Sequence, residues 1–153
     1  MKSILLKGTK DAGKSTTLRE VCKRLKPTKV YKLNTSDGKI ELSGIDNIFN
    51  ETYIIEVQGK WIVVVAGAPT EQNRRITIII EICIKIKTDI SFLLVSMRSF
   101  EKRKGFKTQE ELDSKSEILL SEIICKIDDD DFMNTTEWNH RVDKIVEIVK
   151  SNI

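Results

Sequence analysis

The sequence predicts an α/β fold with a mostly parallel central sheet. Short apolar runs alternate with amphipathic helical stretches, which is the pattern of strands layered against helices. No proline-rich or low-complexity linker interrupts the chain, and its 153 residues fit a single domain, 1–153, able to bury a core. One pair of apolar runs, Thr52 to Val57 and Trp61 to Ala66, is separated only by Gln58-Gly59-Lys60, so one strand of the sheet is expected to run antiparallel as a hairpin.

The elements follow in order. Ser3 to Lys7 reads as a short buried strand, and Leu18, Val21, Cys22 and Leu25 then form one face of a helix that ends before Pro27. Val30 to Leu33 is a second strand, closed by the turn signal Ser36-Asp37-Gly38-Lys39. After the hairpin, Ile76 to Lys87 is ambiguous: its isoleucines alternate as in a strand, yet Ile76, Ile79, Ile80 and Cys83 also share a helical face. It lies between two strong strands, and a parallel connection needs a crossover, so a helix is expected there. Ile90 to Ser96 is a central strand and Glu122 to Ile127 a weaker one. Trp138, Val142, Ile145 and Val149 make the stripe of a last helix, with Asn134 or Thr135 as its cap.

Composition narrows the function classes only a little. Apolar residues at 40% and charged residues at 32% are ordinary for a globular chain, and a net charge of +3 is too small to argue for nucleic acid or a membrane surface. No run reaches the roughly 18 apolar residues of a membrane span. Met1 to Lys7 is too short an apolar run for a signal peptide. The three cysteines, Cys22, Cys83 and Cys125, lack metal-ligand spacing and are expected to be reduced core residues of a cytoplasmic protein.

The chemical signal is Gly8-Thr9-Lys10-Asp11-Ala12-Gly13-Lys14-Ser15, a complete G-x-x-x-x-G-K-[ST] between the first strand and the first helix. Glycines at both ends let the backbone curl so that successive N–H groups point at phosphate oxygens, and the helix that follows adds its positive end. A chance match arises in only roughly half a percent of chains of this length. The expected binding set is therefore Gly8, Thr9, Lys10, Asp11, Ala12, Gly13, Lys14, Ser15 and Thr16. In it Lys14 bridges the β- and γ-phosphates and Ser15 ligates Mg²⁺.

On these residues the chain resembles the P-loop NTPase superfamily, which includes nucleoside monophosphate kinases and small GTPases. The resemblance is specific over residues 4–16 and elsewhere rests on strand–helix order. It implies a three-layer fold, a bound nucleoside triphosphate with magnesium, and phosphoryl transfer or hydrolysis. Lys10 is out of place for the additional lysine of the dimerising, ParA-like branch, which puts it directly after the first glycine, where Thr9 stands here. A homodimer stays open.

The superfamily also implies an aspartate near the end of the hairpin strand. Counting back from Gly67 puts Val64 there. Three readings follow: another acid substitutes, with Glu56, Asp37 and the run Asp128–Asp131 as candidates; Ser15, water and phosphates hold magnesium alone; or nucleotide is bound and poorly hydrolysed. The guanine-reading N-K-x-D is absent after Ile90 to Val95, where Ser96-Met97-Arg98-Ser99 stands, so ATP is expected by elimination. The basic segment 98–107 matches in position the arginine-bearing lid of nucleotide kinases, with Arg98 first and Arg103 second as charges on a transferring phosphoryl group; a solvated basic loop is the alternative. Phe100 and Phe106 add little for nucleic acid without a broader basic face. Arg74, Arg75 and His140 read as surface or structural groups. The functional expectation is a Mg·ATP-binding phosphotransferase or NTPase, the alternative a nucleotide-dependent switch that engages a partner.

Overall fold

The structure is a computed structural model that describes residues 1–87 and 89–153. The described residues form seven strands and five α-helices: β1 (Lys2–Gly8), α1 (Lys14–Leu25), β2 (Lys29–Leu33), β3 (Ile40–Leu42), β4 (Thr52–Val57), β5 (Lys60–Val65), α2 (Pro69–Gln72), α3 (Ile76–Ile86), β6 (Ile90–Arg98), α4 (Thr108–Lys115), β7 (Glu117–Ile123) and α5 (Thr136–Ser151). One sheet holds all the strands in the order β3-β2-β4-β5-β6-β1-β7.

The α/β class holds, but the sheet is mixed, not mostly parallel. β5, β6, β1 and β7 pair in parallel, whereas β5–β4, β4–β2 and β2–β3 are antiparallel. Two strands, β3 and β4, therefore run against the rest, where a single hairpin strand was expected. The physical reason is local. Both the 58–59 turn and the 34–39 turn are too short for a crossover, so each must reverse the chain onto its neighbour.

Registers align the strand ends. Gly8 lies beside Arg98, Lys7 beside Ile123, Val65 beside Val95, and Thr52 beside both Val65 and Leu33. The carboxyl ends of β1, β2, β5, β6 and β7 thus share one edge of the sheet with the start of β4. Ligands of open α/β sheets gather at such an edge.

Side chains alternate across the strands into two cores. Ile4 and Leu6 point into one with Leu18, Val21 and Cys22 of α1 and Val142, Ile145 and Val149 of α5. Leu5 points into the other with Ile76, Ile79, Ile80 and Cys83 of α3 and Leu112 of α4. The helical face of the ambiguous segment is the buried one, as topology required. Thr135 caps α5, its hydroxyl accepting from Trp138 N at 3.2 Å.

Several expectations shift. The last strand is Glu117–Ile123, not 122–127, because it is an edge strand whose half-buried Ile118, Leu119 and Leu120 give no clean alternation. Cys125 is exposed, so only Cys22 and Cys83 are core thiols; burial pushes each of those up to about 12, which keeps them protonated and unreactive. Val64 is fully buried in the apolar core, so a carboxylate in its place would carry the cost of an unpaired buried charge. Among the described residues, no helix is long and apolar enough to cross a membrane.

Candidate functional site

The turn from β1 into α1 is built by backbone conformations that the sequence permits only in part. Gly13 sits at φ 92°, where glycine is favoured, and Asp11 adopts φ 64° at some strain. Gly8 is held close: a Cβ there would lie 2.9 Å from Ala12 Cβ and 3.0 Å from Ile124 O. Ala12 N donates to Thr9 O at 3.2 Å, closing the curl. Along α1 Thr17 N donates to Gly13 O at 2.9 Å, which leaves the N–H groups of Lys14, Ser15 and Thr16 ahead of the first helical bond. Those three residues line the cleft above the loop, at the positive end of the helix.

Lys14 is buried, and its Nζ donates to Gly8 O (2.9 Å) and Thr9 O (2.7 Å), so the ammonium lies over the loop. Burial lowers its pKa from the ordinary lysine value; Glu71 and Asp11 oppose that shift and Arg98 adds to it. Ser15 Oγ lies 2.8 Å from Ala66 O and 3.0 Å from Asn50 Oδ1, so its one proton has two acceptors. The cleft above the loop holds about 500 Å³ and is lined by Lys10, Asp11, Gly13, Lys14, Ser15 and Thr16 on the loop side. Across from them stand Phe49, Asn50, Ala66, Glu71 and Arg98.

Of the expected phosphoryl charges, Arg98 is brought into this cleft and Arg103 is not among its lining residues. Arg98 Nε donates to Glu71 at 3.0 Å. Arg103 is exposed, stacks on Phe106 and reaches Thr70 O at 3.3 Å, so both arginines are tied to α2. The remainder of the basic segment is anchored by Glu101, whose carboxylate accepts from Thr108 N (2.7 Å) and Thr108 Oγ1 (2.5 Å) at the start of α4. Thr9 and Ala12 shape the loop through backbone groups and do not line this cleft.

The expected acids fall elsewhere. Glu56 pairs in register with Lys29 and Trp61 at the opposite end of the sheet, where it accepts from Thr28 Oγ1 at 2.7 Å. Asp37 lines a neighbouring cleft. Asp128, Asp129 and Asp130 line a third cleft, about 360 Å³, on the other flank of the loop with Ile127, Phe132 and Trp138. Asp131 is not among that lining; it accepts from Asn134 Nδ2 at 2.7 Å.

Besides Asp11 of the loop itself, the carboxylate that shares a cleft with Ser15 is Glu71, which the sequence reading missed. Its signal was available: Pro69, four residues past the end of β5, marks the first turn of a helix, and an acid two residues later falls inside that turn. Asn50 was missed as well. It sits at φ 36°, and a Cβ on Gly67 would lie 2.0 Å from Asn50 O, so Gly67 lets segment 43–51 approach the loop.

Ser15, Asn50 and Glu71 offer hard oxygen donors in one cleft, while no cluster of three or more His, Cys, Asp or Glu residues able to cage a metal occurs among the described residues. Comparison of the chain with protein-family models, with curated proteins and with solved structures finds no match.

Proposed function

We propose that this chain is a P-loop protein of layered architecture that binds Mg·ATP in the cytoplasm and transfers or hydrolyses its γ-phosphate. The observation that carries the reading is the loop itself: Gly8 and Gly13 curl the backbone between β1 and α1, with free helical N–H groups and the Lys14 ammonium turned to one cleft. The triphosphate lies over the loop, with the base on the flank of Ile127, Phe132 and Trp138 and the γ-phosphate toward Asn50, Glu71 and Arg98. Carboxylates of Asp128–Asp130 on the base flank are acceptors for the exocyclic amine of adenine.

Ser15, with Asn50 and Glu71 beside it, would hold magnesium, which neutralises phosphate charge when bound. Lys14 binds the phosphate oxygens and Arg98 supplies charge to the transferring group. In the transfer an acceptor oxygen bonds to the γ-phosphorus while the bond from that phosphorus to the β–γ bridging oxygen breaks. The electron pair leaves with ADP, and the acceptor's proton passes to solvent.

Ser15→Ala tests the metal assignment. It is expected to weaken ATP binding about tenfold or more in magnesium and far less in excess chelator, measured by calorimetry under both conditions. Equal losses would reduce Ser15 to shaping the loop. The switch reading is favoured by one contact, Ser15 to Asn50 at 3.0 Å. Metal ligation through the oxygen lone pair would reorient that hydroxyl and its proton and so signal to segment 43–51 and its exposed Phe49.

A further inference from the structure

The clefts at this edge of the sheet are not independent. The base-side flank and the loop cleft share Asp11, Gly13 and Thr16, and the loop cleft in turn shares Asn50 and Glu71 with a cleft of about 550 Å³ beside the end of β2. A nucleotide laid as proposed would occupy the first two. The third then opens at the free end of its triphosphate, a volume suited to a small organic molecule.

Its lining states what that molecule is. Asp37, Glu41, Glu51 and Glu71 stand against only Lys32 and Lys39. Lys32 is already held by Glu51 at 2.7 Å, and Glu71 by Arg98 at 3.0 Å. Asn34 Oδ1 accepts from Ser36 N at 2.8 Å, and the Gln72 amide is engaged at both ends, donating to Gly67 O at 2.7 Å and accepting from Thr52 Oγ1 at 2.9 Å. Asp37, whose Oδ1 accepts from Lys39 N at 2.9 Å, keeps its second carboxylate oxygen, and with Glu41 it offers acceptors beside the hydroxyls of Thr35 and Ser36. Another phosphate or carboxylate here would meet a surplus of like charge at the γ-phosphate end, whereas an ammonium would be attracted.

We infer that this cleft is the second-substrate site and takes a small cationic molecule bearing amine and hydroxyl groups. Its role as phosphoryl acceptor rests on the nucleotide reading above. The cleft supplies an acceptor site from β2, the following turn and α2, without a separate acceptor-binding domain.

The test uses the ¹⁵N-labelled full chain with magnesium and a non-hydrolysable ATP analogue, and two probes on the same hexose frame with opposite charge, glucosamine and glucose 6-phosphate. Glucosamine is expected to shift the amide resonances of residues 34–41 and 50–51, and glucose 6-phosphate to leave them in place. Ser36→Trp, which fills the cleft, should weaken glucosamine at least tenfold; Asp37→Asn, a smaller change, should weaken it in the same direction. The inference is overturned if glucosamine moves none of these resonances, if neither variant changes its binding, or if glucose 6-phosphate binds there instead. The analogue's effect on resonances 8–16 reports the nucleotide reading separately, and a glucosamine titration without the analogue reads the cleft alone.

Discussion

Lys14→Ala is expected to lower ATP affinity by about 10² to 10³, equivalent to about 3–4 kcal/mol, with the fold retained. The ammonium is buried against the loop carbonyls, and charge-assisted bonds to phosphate are worth roughly twice neutral ones. Loss of the side chain removes a desolvated charge, which offsets the loss of its bonds to Gly8 O and Thr9 O. Gly8 O also retains Ser99 N at 3.2 Å. Calorimetry for affinity and thermal unfolding for stability separate the two effects. An unchanged affinity would remove the loop lysine from the binding site.

Arg98→Ala is expected to reduce turnover by about 10² or more while changing ATP affinity much less. A charge that meets the phosphoryl group mainly in the transition state contributes to rate more than to ground-state binding. Arg98 and Glu71 are each about one-third exposed, so loss of their ion pair should cost less than about 1 kcal/mol of stability. A fall in rate therefore could not be assigned to unfolding. Steady-state ADP release and ATP affinity, measured on the same preparations, check this. If turnover is low in the wild type and untouched by the substitution, the switch reading replaces the enzyme reading.

What was legible in the sequence follows from where each element is buried. β1, β5, β6, α1, α3 and α5 carry their burial as runs or helical stripes, because they pack against the two cores on the sheet's faces. β3 has only three residues and no buried one, and α4 buries only Thr108 and Leu112, so neither left a periodic trace. The direction of the strands was less legible than their existence, since it is set by two tight turns and by pairings distant in sequence.

The same contrast runs through the site. The loop is contiguous, so Gly8, Lys14 and Ser15 can be located by spacing alone. Glu71, Asn50 and Arg98 arrive from α2, the approach to β4 and the end of β6, and only the register of the sheet brings them to one cleft. Glu56 illustrates the converse: it was a candidate acid, yet the antiparallel direction of β4 carries it to the far edge of the sheet.

The most direct measurement of the central claim is a calorimetric titration of the wild-type chain with ATP in the presence of magnesium. A bound anion on the free N–H groups of α1 and the Lys14 ammonium should give saturable one-to-one binding with a Kd of about 10 μM or tighter, equivalent to about −7 kcal/mol or better. The absence of binding at millimolar ATP, GTP and CTP alike would contradict the account, leaving the loop as a glycine turn with a lysine folded over it.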